Sequence, residues 1–387
     1  MKQVVPALLI SMVAAAEPQF GIASKYVRDQ GLDQDPSVIF SERFEAGTTN
    51  DVRQRWGFGR LPNVTFSSDV PTASAGTRSM RAAGDNDLFT QFAPAGKPGY
   101  NRVYVRWYTK LDSATCDSIH HWPWLGGYDP PQSSPWPRAG EDPAIEDRNG
   151  LNTAGRFSTG FEAYRRPEWE PGWFWDWYTY WPEMRAHDDG RWWGNGFTTT
   201  GWHLPSTQKW NNFDRWYSTE IMVKLNDFVD GHGVENGEQA VWLDGELISS
   251  VGSEPSTQLR GNWELASFIQ RRDGGVLPGI RWRTTRPDLM INYFWLEHYV
   301  NTDTGQDCVG WYDDVVIATE YIGPMVELKI FPDAGTTPDA GAASQKPKEN
   351  SAPVNLGCGC SQGSAGYAAL SMLTAWFHRR FRQVFRW

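Results

Sequence analysis

Residues 38–326 predict an all-β protein, a single antiparallel β-sandwich, and three features carry that expectation. Short runs rich in β-branched and aromatic residues alternate apolar with polar positions, the period of a half-buried strand. Gly, Pro, Asn and Asp separate those runs at close spacing, as turns between antiparallel strands require. No amphipathic helical run longer than about two turns interrupts them.

The elements follow in order. Val38 to Glu45 (VIFSERFE) is the first predicted strand. Arg102 to Leu111 (RVYVRWYTKL) alternates cleanly, with Val103, Val105, Trp107 and Thr109 on one face. Trp216 to Leu225, Glu238 to Leu247 and Trp311 to Tyr321 are further strands. Asp244-Gly245 lies between strand-like runs and predicts a tight hairpin turn. Many strands joined by short turns make a sandwich or jelly roll. The stretch Asp117 to Pro205 differs, being dense in Trp, Tyr, Pro and Gly, and is expected to fold over one concave face. The chain holds 22 Trp, more than a core needs, so Trp122, Trp124, Trp175 and Trp177 are expected to line a groove and stack on sugar rings. The alternative is that these rings fill a wide sandwich core.

Both ends read as targeting segments. Lys2, the apolar stretch Val4 to Val13 and Ala14-Ala15-Ala16 match the three regions of a signal peptide over residues 1–16, too short to span a bilayer. The folded domain is then 17–330. Residues 331–357, rich in Pro, Ala, Gly, Ser and Asp, read as a flexible linker. Cys358 and Cys360, the mostly apolar Ala365 to Phe377 and Arg379, Arg380, Arg382 and Arg386 follow over 358–387. That order resembles the myxobacterial C-terminal sorting tail, which implies processing at the Cys motif, membrane attachment and display at the cell surface or outer membrane, or release after processing. Export implies an oxidising compartment, so Cys116 and Cys308 are expected to form a disulfide. A formal net charge of −10 disfavours a nucleic-acid partner.

Six segments carry a second resemblance: Ile119-His120-His121-Trp122-Pro123-Trp124-Leu125-Gly126-Gly127, Arg156-Phe157-Ser158-Thr159-Gly160-Phe161, Tyr178-Thr179-Tyr180, Trp216 to Asn226, Val241-Trp242-Leu243-Asp244-Gly245 and Tyr312-Asp313-Asp314-Val315-Val316. Their order is similar to that of polysaccharide lyase family 14, the alginate and glucuronan lyase type. The resemblance implies a concanavalin A-like jelly roll and β-elimination on an anionic, uronate-containing polysaccharide. The family's paired tyrosines fall on Tyr178 and Tyr180. Its loop lysine falls on or beside His121 or Trp122, a departure that keeps a non-catalytic glycan-binding protein as the rival reading.

The residue chemistry can be argued separately. A uronate lyase removes the C5 proton, neutralises the carboxylate and protonates the leaving oxygen. Tyr and His suit the proton transfers, which makes His120, His121, Tyr178 and Tyr180 the candidates. Arg106 and Arg156 suit the charge-stabilising role. A second basic region spans Arg260, Arg271, Arg272, Arg281, Arg283 and Arg286; strand alternation would put Arg281 and Arg283 on one face, where guanidinium forks bind carboxylate or sulfate. No cofactor is expected, although the acidic loop Asn226 to Gly231, with Glu235 and Glu238, has the ligand types for calcium without EF-hand spacing. Paired carboxylates for a retaining glycosidase, a G-x-S-x-G elbow, H-E-x-x-H and a phosphate loop are not evident in the sequence.

The tail reading predicts that deleting Cys358 onward releases the protein into the medium. Fractionation of cells and medium checks this, and a truncated form as cell-bound as the full chain would refute it.

Overall fold

The computed structural model describes residues 20–116, 119, 121–135, 141, 143, 155–165, 173–182, 184, 189–192, 194, 212–251, 279–300 and 308–327. The expectations for the signal peptide, linker and sorting tail, including Cys358 and Cys360, lie outside the described residues, as do His120, Arg260, Arg271 and Arg272. In chain order the strands are β1 (Val38–Glu42), β2 (Phe58–Arg60), β3 (Val64–Ser67), β4 (Ser79–Ala83), β5 (Asn86–Gln91), β6 (Arg102–Leu111), β7 (Trp124–Tyr128) and β8 (Arg156–Arg165). They continue as β9 (Trp173–Tyr180), β10 (Tyr217–Lys224), β11 (Phe228–Val229), β12 (His232–Gly233), β13 (Glu238–Leu243), β14 (Glu246–Val251), β15 (Tyr293–His298) and β16 (Val309–Ala318). An α-helix, α1 (Thr49–Trp56), follows β1.

The protein is an antiparallel β-sandwich of the jelly-roll kind. An eight-stranded sheet runs β14-β13-β10-β6-β16-β4-β3, with β1 also paired to β16. A six-stranded sheet runs β2-β5-β15-β7-β8-β9. Inward-pointing rings join the two: Trp107 of β6 meets Phe294 of β15 with centroids 5.9 Å apart, and Trp175 of β9 meets Tyr217 of β10 at the same separation. The predicted alternation of β6 is observed, since Val103, Val105, Trp107 and Leu111 are all in the core. Asp244 and Gly245 both take positive φ, 49° and 79°, the demand of a type I′ hairpin turn, which only a residue pair of this kind meets cheaply. α1 was not legible as an amphipathic run. It is secured by a capping box between Thr48 and Asp51 and by burial of Val52 and Trp56.

Cys116 and Cys308 are disulfide-bonded across 192 residues of sequence, as expected. The chain-entropy account gives such a closure on the order of 5 kcal/mol. It ties the segment before His121 to the start of β16.

The outer face of the eight-stranded sheet is covered by residues 20–37 and 321–326, and this corrects the expectation for Arg106. Because Trp107 points inward, Arg106 points outward, away from the other sheet. Its guanidinium is buried, paired with Asp29, and donates to the Gly323 carbonyl at 2.9 Å. Glu220, opposite Arg106 in register, accepts the backbone N–H groups of Ile322 and Gly323 at 2.7 and 2.8 Å. Tyr108 accepts from Met325 N–H at 2.8 Å. Arg106 therefore clamps chain segments and is not available to a glycan.

Removing one member of a buried ion pair strands the other charge. Asp29→Ala is expected to cost about 3–5 kcal/mol in urea unfolding, with the paired change Asp29→Leu/Arg106→Met costing less. Equal losses in the two variants would contradict the clamp.

Candidate active site

Two rows of residues cross the six-stranded sheet. Trp295 of β15 lies opposite Trp124 of β7, which lies opposite Gly160 of β8, which lies opposite Tyr178 of β9. The next row reads Tyr293, Gly126, Ser158, Tyr180. Residues directly opposed in a sheet share a face. The intervening residues Phe157, Thr159, Phe161, Trp175, Trp177 and Thr179 take the other face, in the core. Alternation along β8 and β9 thus separates a packing face from a chemical one.

His121 enters at the lead-in to β7. Its backbone exchanges two hydrogen bonds with Tyr299, at 3.2 and 3.1 Å. Its ring lies 5.6 Å from Tyr299 (stacked), 5.0 Å from Tyr178 and 5.3 Å from Trp124. His121 Nδ1 lies 3.1 Å from Glu162 Oε1, with the two side chains 16% and 11% exposed. Trp122 N–H also bonds the Glu162 carboxyl. Glu297, next but one to Trp295 on the same face of β15, accepts Trp124 Nε1–H at 2.8 Å.

Burial sets the protonation of this group. It pulls His121 down to about 3 and pushes the carboxyls of Glu162 and Glu297 well above the ordinary carboxylate range, so all three favour their uncharged forms. Burial also raises both phenols, Tyr178 strongly. Three contacts oppose the rise at Tyr180: Arg156, the Tyr178 hydroxyl, which donates to it, and the Gly194 N–H. The Arg156 guanidinium sits 4.9 Å from the Tyr180 ring centroid. Only glycine fits at 194, where a Cβ would stand 2.3 Å from the Tyr178 ring.

The structure thus brings together His121, Tyr178, Tyr180, Trp124 and Arg156, and excludes other candidates. Trp122 and Trp175 are 0% exposed and Trp177 2%, so the alternative holds for them and these rings fill the core. Trp122 packs edge-on against Trp175, because alternation at the lead-in sends it opposite to His121. Arg281 and Arg283 lie in no strand: Arg281 pairs with Glu235 at 3.3 Å, while Arg283 is buried and donates to the Asn226 and Pro287 carbonyls. Arg286 pairs with Asp129. In the acidic loop, Asp227 accepts from Asn236, Glu235 pairs with Arg281 and Glu238 pairs with Lys224 at 2.5 Å, so these three carboxylates serve protein partners. Among the described residues no three His, Cys, Asp or Glu side chains form a metal set. No helix among them is long and apolar enough to cross a membrane.

Glu162 and Glu297 were missed as site residues. Alternation from Arg156 through Ser158 and Gly160 reaches Glu162, and Tyr293, Trp295 and Glu297 likewise share a face. The signal was present once those strands were recognised.

No family profile matches the sequence, and no curated protein matches it. Solved structures overlap the fold loosely. An alginate lyase from a Chlorella virus is 13% identical, covering 73% of this chain and 99% of its own, with a TM-score of 0.44. The marine PL-14 alginate lyase from Aplysia kurodai is 12% identical over 73% and 99%, with a TM-score of 0.40. A cellulose-induced protein is 16% identical over 74% and 99%, with a TM-score of 0.38. Overlaps this loose transfer no chemistry, which rests on the side chains above.

His121 resists protonation in the folded state, and the sign of its effect on stability follows. Below its ordinary value of 6.5 the unfolded chain binds a proton that folded His121 refuses until about 3. Stability from this residue is therefore lost as pH falls across that window. Buried His298, lowered to about 4, acts in the same direction, whereas Glu220, raised to about 7 from 4.5, opposes both between those values. His121→Asn is expected to make the acid loss shallower in pH-dependent unfolding; an unchanged slope would contradict the assignment.

Proposed function

We propose that the protein is a polysaccharide lyase that cleaves an anionic, uronate-containing glycan by β-elimination on the outer face of its six-stranded sheet. The observation that carries this reading is the convergence of His121, Tyr178 and Tyr180 around Trp124, with Arg156 over Tyr180. An elimination needs a base, an acid and a cation at one sugar ring, and this cluster supplies all three.

Tyr180 is the base. Its phenolate is favoured by Arg156, by the Tyr178 hydroxyl and by the Gly194 N–H, a combination no other phenol of the cluster receives. Arg156, partly exposed, meets the uronate carboxylate and stabilises the charge that builds there once the C5 proton leaves. His121 is the acid, a neutral imidazole whose ring proton goes to the leaving oxygen. The departure from the family's loop lysine at this position is thus met by an imidazole that transfers a proton, not by a second cation.

The rival reading, a glycan-binding protein without catalysis, rests on the departure from the family's loop lysine and would need a Trp-rich surface for its sugar. With Trp122, Trp175 and Trp177 in the core and Trp124 itself buried, Trp295 is a partly exposed indole of this face. That loss favours the enzyme. Export and surface attachment through the C-terminal tail complete the proposal and would place the site where extracellular polysaccharide is met.

Incubation with alginate, glucuronan and related uronates should yield an unsaturated product with its characteristic ultraviolet absorbance. Tyr180→Phe is expected to lower kcat by about 10²-fold or more. Activity should rise into the alkaline range as the phenol ionises, and Arg156→Ala should move that rise to higher pH. No unsaturated product from any uronate glycan, or full turnover by Tyr180→Phe, would refute the proposal.

A further inference from the structure

The elimination reading leaves two buried carboxyls of the site unused; Glu297 accepts from the Trp124 indole, and Glu162 faces His121. We propose that Glu162 is the positioning residue for His121, holding the ring through Nδ1 and supplying the proton that replaces the one Nε2 gives to the leaving oxygen. The inference rests on that reading and adds to it a proton source.

The geometry has three parts. Glu162 projects from β8 onto the site face, two residues beyond Gly160, and reaches the imidazole of the neighbouring lead-in at 3.1 Å. Its carboxyl is held by Trp122 N–H, the residue next to His121, so the two partners share one backbone anchor. The His121 ring is fixed by Tyr299, Tyr178 and Trp124, and its backbone by the bridge to Tyr299. A ring fixed in this way with Nδ1 on a carboxyl transfers protons through Nε2.

The groups facing Glu162 are His121, Tyr178, Tyr180 and Glu297, all of which burial holds toward their uncharged forms, with Arg156 beyond them at Tyr180. In that surrounding the resting pair is a carboxylic acid and a neutral imidazole. The acid O–H donates to Nδ1, which leaves the ring proton on Nε2, the tautomer a general acid needs.

The proton count then closes. Tyr180, in the phenolate form that alkaline pH supplies, takes the C5 proton, whose bonding electrons form the C4–C5 double bond as the bond from C4 to the leaving oxygen breaks. That oxygen takes the Nε2 proton. The Glu162 proton passes to Nδ1, leaving a carboxylate beside a still-neutral imidazole. Tyr180 gives its proton to solvent, Nε2 regains one from solvent, and Nδ1 returns its own to Glu162.

Nitrogen NMR on full-length protein with isotope-labelled histidine reads the tautomer, with His121→Asn assigning the signal. The wild type should show the Nε2–H form. Glu162→Gln, whose amide N–H still donates to Nδ1, should keep that form while kcat falls at least about tenfold with little change in KM. Glu162→Ala should lose the single tautomer as well. A His121 signal unchanged by Glu162→Ala overturns the positioning, and wild-type kcat and pH profile in Glu162→Gln overturn the proton supply. A wild type inert on every uronate glycan, with a tautomer that still responds to Glu162→Ala, overturns the elimination reading and the proton supply together.

Discussion

Alternation along β8 and β9 obliges neighbouring residues to serve opposite faces, and the rest of the molecule depends on that division. Phe161 stacks on Trp175, and Trp175 packs in turn on Phe213 and Tyr217 of the facing layer. The residues between them, Ser158, Glu162, Tyr178 and Tyr180, are thereby fixed on the site face. A slip of one residue would turn the polar set into the core between the sheets and the indoles onto the opposite face. Large core rings and a cross-strand hydrogen bond between Thr159 and Thr179 at 2.8 Å hold the register. The precision of the site is thus inherited from packing on the other side of the same strands.

The two sheets use their outer faces differently. The eight-stranded sheet covers its outer face with the chain's own segments and neutralises the charges there in pairs, Arg106 with Asp29 and Arg43 with Asp314. The six-stranded sheet gathers polar groups whose uncharged forms are favoured, next to one partly exposed guanidinium. Among the described residues, Arg156 is the guanidinium beside Tyr180, so this face carries positive charge next to neutral hydrogen-bonding groups. The disulfide at Cys116 and Cys308 supports the arrangement by anchoring the chain just before His121.

Much of the fold was legible because strand period and turn chemistry are local. β6 matched its predicted limits, Arg102–Leu111, and the hairpin at Asp244-Gly245 fell where the dipeptide placed it. α1 was not, since eight residues with two buried positions leave too short a period to read. Within the site, the Tyr178 and Tyr180 spacing was visible, yet spacing alone could not say which face of β9 looks inward. That choice depends on Phe213 and Tyr217, far away in sequence. It also decided the fate of the indoles: Trp175 and Trp177 follow the core parity and Tyr178 the opposite one. Arg106 and Arg283 misled for a related reason. A guanidinium in a sequence gives no sign of whether carbonyls of the same chain will enclose it. Glu162 and Glu297 come from strands separated by β7, so no single segment displays them together.

The account's central claim is bond cleavage by elimination at the His121, Tyr178 and Tyr180 cluster. Mass spectrometry of products formed from a uronate glycan in oxygen-labelled water tests it most directly. Elimination predicts fragments whose new non-reducing ends are lighter by one water and carry no label at the cleaved bond. Saturated non-reducing ends, with fragments heavier by one water and its labelled oxygen on the new reducing-end C1, would mean hydrolysis and would contradict the account.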